Sequence, residues 1–343
     1  MVSFPMLNEL PPPPPGRTGW PWTDQSPRLL DTAPDGSPWP RLSIVTPSYN
    51  QGEFIEETIR SVLLQCYPNL EYIVVDGGSS DDSTEIIRRY EPWLSHWVSE
   101  PDKGQADAIN KGFARATGSL LGWINSDDLF VRSSLQELAI AHVDHPNSIL
   151  AGPVIDFDGQ GYERTIQQRG LTFQNFVEFW MQRHNWHMPG IFYPRVLVDQ
   201  VGYLDPSLRY LFDMDFMCRI LQISSVEYLA KPLTYFRLHP HSKTVSEKAG
   251  FLPEAVEISR RYWHLIQDLD EREFRRRVSR AYARQGFRLL RHGQFRSGLR
   301  SIVDGMSFDV LGIPRYIKEY TFRRLTNGAR RIRSIVDGPG TFE

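Results

Sequence analysis

Apolar residues in the first third of the chain alternate between two spacings. The β-branched run Arg41-Leu-Ser-Ile-Val-Thr46 predicts a strand, and Pro47-Ser-Tyr-Asn-Gln-Gly52 after it is turn chemistry. From Phe54 to Cys66 the apolar positions Ile55, Ile59, Val62, Leu63 and Cys66 fall at helical spacing. The cycle then repeats, with strands at Leu70–Val75, Trp97–Ser99 and Leu120–Asn125 and helices at Thr84–Tyr90 and Gln105–Ala116. Strands alternating with helices of this length imply βαβ units and a parallel sheet. Right-handed crossovers would gather the polar loops 46–52, 76–83, 100–104 and 125–128 along one sheet edge. Ligands of open α/β sheets bind beyond the carboxyl ends of the strands, which is that edge.

Beyond residue 150 the pattern loosens. Short strands are expected near Ile149–Val154, Gly190–Tyr193, Val226–Leu229 and Leu233–Arg237, with helices near Phe173–Met181 and Leu211–Leu221. Residues 1–40, with the run Pro11 to Pro15, lack periodicity and read as an extended or disordered leader. Residues 41–250 form the expected α/β domain, divided into halves at 128/129, and residues 251–343 read as a basic helical region. The chain has 343 residues, 41% hydrophobic and 23% charged, ordinary globular values. Its two cysteines, Cys66 and Cys218, make neither a disulfide framework nor a zinc site, and a reducing compartment is expected. No apolar stretch is long enough to span a membrane, and the N-terminus lacks a signal-peptide layout. The net charge of −2 hides an asymmetry: residues 271–333 carry 17 basic and 5 acidic side chains, residues 1–270 carry 22 and 34. A basic tail on an acidic body implies an anionic partner, either a lipid surface or the body itself.

Three polar clusters carry candidate chemistry. The apolar run Leu121–Ile124 ends in Asn125-Ser-Asp127-Asp128. Adjacent carboxylates suit Mg²⁺ or Mn²⁺ shared with substrate phosphates, although a helix cap would look the same. Asp76-Gly-Gly-Ser-Ser-Asp-Asp-Ser83 follows a strand and supplies hydroxyls, carboxylates and glycines for nucleoside recognition, or simply a turn and a cap. Glu100 to Gly112 opens a helix at Gly104 with small residues behind it, an anion site or a tightly packed helix. Neither a G-x-G-x-x-G nor a P-loop signature occurs at these loops.

Thr46-Pro-Ser-Tyr-Asn50, Val75-Asp-Gly-Gly-Ser-Ser-Asp-Asp-Ser-Thr84, Asp102-Lys-Gly…Ala108-Ile-Asn-Lys-Gly112 and Trp123-Ile-Asn-Ser-Asp-Asp128 occur in this order. Together they resemble the family 2 glycosyltransferases over roughly residues 41–240. The resemblance implies an α/β fold of GT-A type, a Rossmann-like, mainly parallel sheet flanked by helices, here with a C-terminal helical extension. It also implies a nucleotide-sugar donor, a divalent metal (Mg²⁺ or Mn²⁺) and inversion at the anomeric carbon. By the same resemblance Pro47, Tyr49 and Asn50 line the nucleotide site and Asp76 meets the base. Asp102, Gly104 and Asn110 complete the pocket, and Asn125, Asp127 and Asp128 serve ribose and metal. Asn125 stands where the family often has Asp, so direct metal binding falls to Asp127 and Asp128.

Leu211-Phe-Asp-Met-Asp-Phe-Met-Cys-Arg219 resembles the family segment holding the catalytic base. Phe212 replaces a common Glu and leaves Asp213 as the base, beside an apolar neighbour that would raise its pKa by desolvation. Asp215 is expected to be structural. His187, in His187-Met-Pro-Gly-Ile-Phe192, stands in an acceptor-side loop and either touches acceptor or diphosphate or packs within the loop. Tyr235 to Lys243 resembles a loop closing over the diphosphate, with Arg237, Ser242 and Lys243 as donors and His239 as metal ligand, phosphate contact or loop structure. The expected acceptor is a saccharide or lipid-linked saccharide in envelope polysaccharide synthesis, with no nucleic-acid partner. The expected location is cytoplasmic, at the inner face of the membrane if the basic tail meets lipid. Two rivals stay open: a sugar nucleotidyltransferase, and a silent sugar-binding or scaffold protein, which Asn125 and Phe212 would suit.

Overall fold

Strand and helix alternate from residue 42 onward in the computed structural model, which describes residues 5–30, 32–33, 36–242, 250–314 and 316–317. β1 (Leu42–Ser48) leads to α1 (Ile55–Leu63), β2 (Leu70–Asp76), α2 (Ser83–Tyr90), β3 (His96–Ser99), α3 (Gln105–Arg115) and β4 (Leu120–Trp123). β1 lies between β2 and β4 and is parallel to both; β3 extends the sheet parallel to β2. β1 is buried along its whole length, as a parallel strand covered on both faces should be. Its polar residues are paired: Ser43 Oγ donates to Glu71 at 2.5 Å, and Thr46 Oγ1 lies 3.0 Å from the Tyr72 hydroxyl.

α1 buries Ile55, Ile59, Val62 and Leu63 against this sheet. Each such side chain contributes about 1.5–3 kcal/mol by leaving water. Glu56 and Glu57 in its first turn complement the helix dipole. α3 packs closely enough on β1 that a Cβ at Gly112 would run into the Val45 side chain. A larger residue there would push the helix, and the loop at its N-terminus, off the sheet.

The chain continues through β5 (Leu129–Phe130), α4 (Ser134–Asp144), β6 (Ile149–Ala151), β7 (Val154–Phe157), β8 (Glu163–Ile166), α5 (Phe173–Val177) and β9 (Ile191–Pro194). α6 (Arg195–Val201), α7 (Phe212–Ile220), β10 (Val226–Tyr228) and β11 (Thr234–Arg237) follow. The central sheet has seven strands in the order β10-β6-β9-β4-β1-β2-β3, with β9 antiparallel to β4 and β6. A second sheet, β5-β11-β7-β8, was not expected. The run Ile149–Val154, read above as one strand, is split between the two sheets at Gly152-Pro153. Pro153 has no N–H for a ladder, so pairing stops there and resumes in the other sheet.

The proline-rich leader departs from the expectation of disorder. Leu10 and Trp22 are buried, and the indole N–H of Trp20 donates to the Phe130 carbonyl at 2.8 Å. Arg60 of α1, fully buried, holds this segment. Its guanidinium donates to the carbonyls of Pro11, Pro21 and Trp22 and to the Tyr90 hydroxyl, at 2.8–3.2 Å. Prolines lack donors but leave carbonyls free, and a buried arginine supplies what those carbonyls need.

The molecule divides into two compact units, residues 1–258 and 259–343. The division falls inside α8 (Phe251–Tyr262), later than the expected boundary at 250/251. In the second unit α9 (Glu271–Arg291) begins with Asp270, whose carboxylate accepts from the Glu273 N–H at 2.7 Å, and packs on α10 (Phe295–Phe308). Among the described residues no helix is long and apolar enough to cross a membrane.

Candidate active site

The four loops expected at one edge are bonded to one another there. Asn50, in the left-handed region at φ 51°, donates its N–H to Ser79 Oγ at 2.8 Å and accepts from the Ser80 N–H through Oδ1 at 2.9 Å. The Gly52 N–H donates to Asp81 at 2.8 Å. Next along the edge, a Cβ on Gly77 would lie 2.6 Å from the Asp102 carboxylate, so a side chain there would displace that carboxylate. Asp102 accepts from the Gly104 N–H at 2.8 Å, and burial pushes its carboxyl above the usual range. Gly104, at φ 114°, turns the chain into α3, where Gln105 donates to Asn125 Oδ1 at 2.7 Å. Loop after loop, the edge is a single polar network.

Within it the residues named by the resemblance differ in exposure and in hydrogen bonding. Tyr49 is 61% exposed beside the edge, whereas Pro47 is buried in β1 opposite Val75. Asp76 is fully buried, its oxygens accepting from the N–H groups of Gly78 and Ser79 and the hydroxyls of Ser79 and Ser99 at 2.5–3.1 Å. Four internal donors thus hold the Asp76 carboxylate and shape the loop above it. Asn110 is likewise committed: its amide donates to the Leu204 carbonyl at 2.9 Å and accepts from the Leu204 N–H at 3.0 Å.

The two adjacent acids part ways. Asp128 is fully buried; it accepts from the Arg237 N–H at 2.9 Å and from the Asn125 side chain at 3.0 Å. Burial, then the charge of Asp127, pushes its carboxyl well above the usual carboxylate range. Asp127 remains partly exposed, with Oδ2 2.9 Å from His239 Nε2. Of the two acids expected to bind metal, Asp127 is the one that faces outward, and the group beside it is the His239 imidazole. The reason lies in α1 and β11. Thr58 Oγ1 donates to the carbonyls of Ser126 and Asp128, turning the Asp128 side chain inward, and β11 delivers His239 from the other side. Donors 2.9 Å apart match neighbouring ligands of an octahedral ion held at about 2.1 Å. Among the described residues no cluster of three or more His, Cys, Asp or Glu is suited to hold a metal, so an ion here would draw further ligands from the diphosphate it binds.

Arg237, expected to meet phosphate, is an internal strut. Its guanidinium donates to the Asp127 carbonyl at 2.9 Å and pairs with Glu57 at 2.8 Å, stacked over Phe54 and Phe157. The parallel register that sets Arg237 opposite Phe157 fixes it there. Glu57 and Thr58, helix positions with no motif around them, were missed; their spacing on α1 opposite the sheet edge was the available signal. Ser242 closes a turn on the His239 carbonyl, its N–H and hydroxyl both donating to it. Lys243 lies outside the described residues.

On the acceptor side Asp213 stands in the first turn of α7, where the helix dipole favours a carboxylate, and accepts from the Met214 N–H at 2.8 Å. Asp215 is buried and paired with Arg219 at 3.0 Å, the structural role expected of it. His187 Nδ1 faces Asp156 at 3.3 Å and packs edge-on against Phe236. Burial holds the imidazole below its usual range and the Asp156 carboxyl above its own. Asp156 was invisible in the sequence because β7 was not resolved from β6.

A mainly parallel sheet thus carries a polar edge, an acid facing an imidazole beside it, and a second acid opening a helix. Comparison with known proteins names the family. The family described as glycosyl transferase family 2 matches residues 43–212. An uncharacterized glycosyltransferase of Mycobacterium tuberculosis is 31% identical over 184 residues, 52% of this chain and 68% of that protein. The chain belongs to glycosyltransferase family 2. A B. subtilis protein assigned to teichuronic acid biosynthesis, TuaG, is 39% identical over 101 residues, 29% of this chain and 40% of that protein. Among solved structures, S. aureus TarS 1–349 in complex with UDP-GlcNAc gives a TM-score of 0.58 at 18% identity, covering 82% of this chain and 91% of that one. Mannosyltransferase PcManGT from Pyrobaculum calidifontis, in complex with GDP-Man and Mn²⁺, gives 0.50 at 16% identity, covering 91% and 92%. The fold is GT-A.

Proposed function

We propose that the chain transfers a sugar from a nucleotide-diphosphate sugar to a hydroxyl of a saccharide or lipid-linked saccharide, in assembly of an envelope polysaccharide, by one inverting displacement. The observation that carries this is the Asp127–His239 pair, 2.9 Å apart beside the mutually bonded loops of the sheet edge. The UDP-GlcNAc bound by TarS, the GDP-Man and Mn²⁺ bound by PcManGT, and the teichuronic acid assignment of TuaG support the same reading.

Asp127 and His239 would hold the divalent ion, a carboxylate oxygen with an imidazole nitrogen that suits Mn²⁺ well. Bound there, the ion would neutralise charge on the departing diphosphate. Arg237 and Asp128 fix the Asp127 main chain from behind, so the ligand is placed before the donor arrives. Asp213 takes the proton of the acceptor hydroxyl as that oxygen bonds to the anomeric carbon; the bond to the diphosphate breaks and its electron pair leaves with the phosphate oxygen. With no covalent sugar–enzyme intermediate, the anomeric centre inverts.

Thermal unfolding with a panel of UDP-, GDP- and dTDP-sugars tests donor binding. At a hundred times its Kd the true donor adds about 2.7 kcal/mol, with the largest shift in Mn²⁺. No stabilisation by any nucleotide sugar would sink the proposal. Asp213→Asn should lower transfer about 10²–10⁴-fold while leaving donor binding unchanged. Transfer retained in that variant would reassign the base.

A further inference from the structure

α10 is amphipathic the wrong way round for a core helix. The face it turns to α9 is mainly small residues, Gly298, Ser301 and Gly305, with Ile302 beside them against Gly286. A Cβ on Gly298 would meet Leu290, one on Gly305 would meet Tyr282, and Ser301 donates to the Tyr282 carbonyl at 2.9 Å. Four of its large apolar residues point outward instead: Phe295 is 66% exposed, Leu299 58%, Val303 63% and Met306 40%. These four fall within one face of the helical wheel, and exposed Val310 and Leu311 follow the helix. Exposing this much contiguous apolar surface costs solubility unless something covers it.

The charges beside the stripe say what. Arg296 and Arg300 occupy the exposed flank next to it, and the helix's one acid, Asp304, stands one turn after Arg300, farther from the stripe than either arginine. On α9, Arg284, Arg288 and Arg291 are exposed at one-turn spacing. An apolar stripe bordered by arginines, on a helix of low overall hydrophobicity, has the make-up of a helix lying in the plane of a lipid interface. We propose that α10 docks this stripe into an anionic membrane surface, Phe295, Leu299, Val303 and Met306 entering the acyl boundary while the arginines meet headgroup phosphates. The proposal is independent of the sugar-transfer chemistry, whose residues all lie in the first unit.

Flotation of the full chain tests it, with vesicles of phosphatidylcholine alone and of phosphatidylcholine mixed equally with phosphatidylglycerol. The chain should float with the mixed vesicles and remain below with the neutral ones. Leu299→Ser/Val303→Ser should lower partitioning at least about tenfold. Because both side chains are exposed, the variant should keep its melting temperature, which separates lost docking from lost folding. Arg296→Gln/Arg300→Gln should weaken binding to the mixed vesicles and make it less salt-dependent. Failure of the wild-type chain to float, or equal flotation of the serine variant, overturns the proposal. So does a stripe that proves to be a contact between two copies, seen as an oligomer that the serine variant dissolves without changing flotation.

Discussion

Two neighbouring carboxylates can have opposite roles when the backbone between them turns one inward. Asp128 sits under the network with both oxygens accepting internal hydrogen bonds, while Asp127 faces His239. Asp127→Asn should therefore weaken Mn²⁺-dependent donor binding by about 10–100-fold and leave the metal-free affinity near that of the wild type. Asp128→Ala should act differently, leaving the Arg237 N–H and the Asn125 amide without partners. Each buried unpaired group costs about 1–3 kcal/mol, an upper bound here because removing a buried charge offsets part of it. Calorimetric titration of each variant with donor, with and without Mn²⁺, separates the two roles; equal loss of metal dependence in both would contradict the division. That the pair mattered was legible from an apolar run ending in acids. Which acid faces outward was not, because Thr58, Arg237 and His239 set it from elements 68 to 112 residues away in sequence and no local spacing encodes that.

At the scale of elements, α1 does more than cover the sheet. Arg60 reaches out of it to three carbonyls of the leader, and its burial makes those bonds matter. Arg60→Met should destabilise the first unit by about 3–5 kcal/mol and leave residues 5–30 open to protease, since three carbonyls lose a charged donor at once. Urea unfolding with limited proteolysis reads both; unchanged cleavage of the leader would remove Arg60 as its anchor. The βαβ order from Arg41 to Asn125 was legible because buried parallel strands and amphipathic helices have distinct periods. The second sheet was not. β5 has only two residues, and β7 follows β6 after Gly152-Pro153 within one apolar run, so periodicity had too little length to divide them. The leader was misread for a related reason. Proline-rich sequence has no period, yet its carbonyls and the aromatic rings of Trp20 and Trp22 give a neighbouring element enough to hold.

At the scale of the whole chain, a net charge of −2 leaves little self-repulsion near neutrality, so mild acid must act on the fold through particular groups. His142 in α4 and His184 before β9 are held below the ordinary imidazole value of 6.5, in both cases mainly by burial. In the native state these rings refuse protons that the unfolded chain accepts. Their contribution to stability is complete above about pH 6.5 and is lost as pH falls from there through their folded values. Asp102, Asp128 and Asp156 work in the opposite sense, since their raised carboxyls bind protons more readily when folded and add stability as pH drops. The two effects overlap in a wild-type titration but separate in a variant. His142→Gln can keep a polar contact to Ser119, which lies 3.1 Å from the ring nitrogen, while removing the titration. Its unfolding free energy should fall less steeply than that of the wild type below pH 6.5, by up to about 1.4 kcal/mol per pH unit until the folded value is passed. Urea unfolding of both proteins at pH 7.5, 6.5 and 5.5 gives the comparison. Parallel curves would mean that His142 titrates alike in the folded and unfolded chain, and that burial in α4 does not set the acid limit.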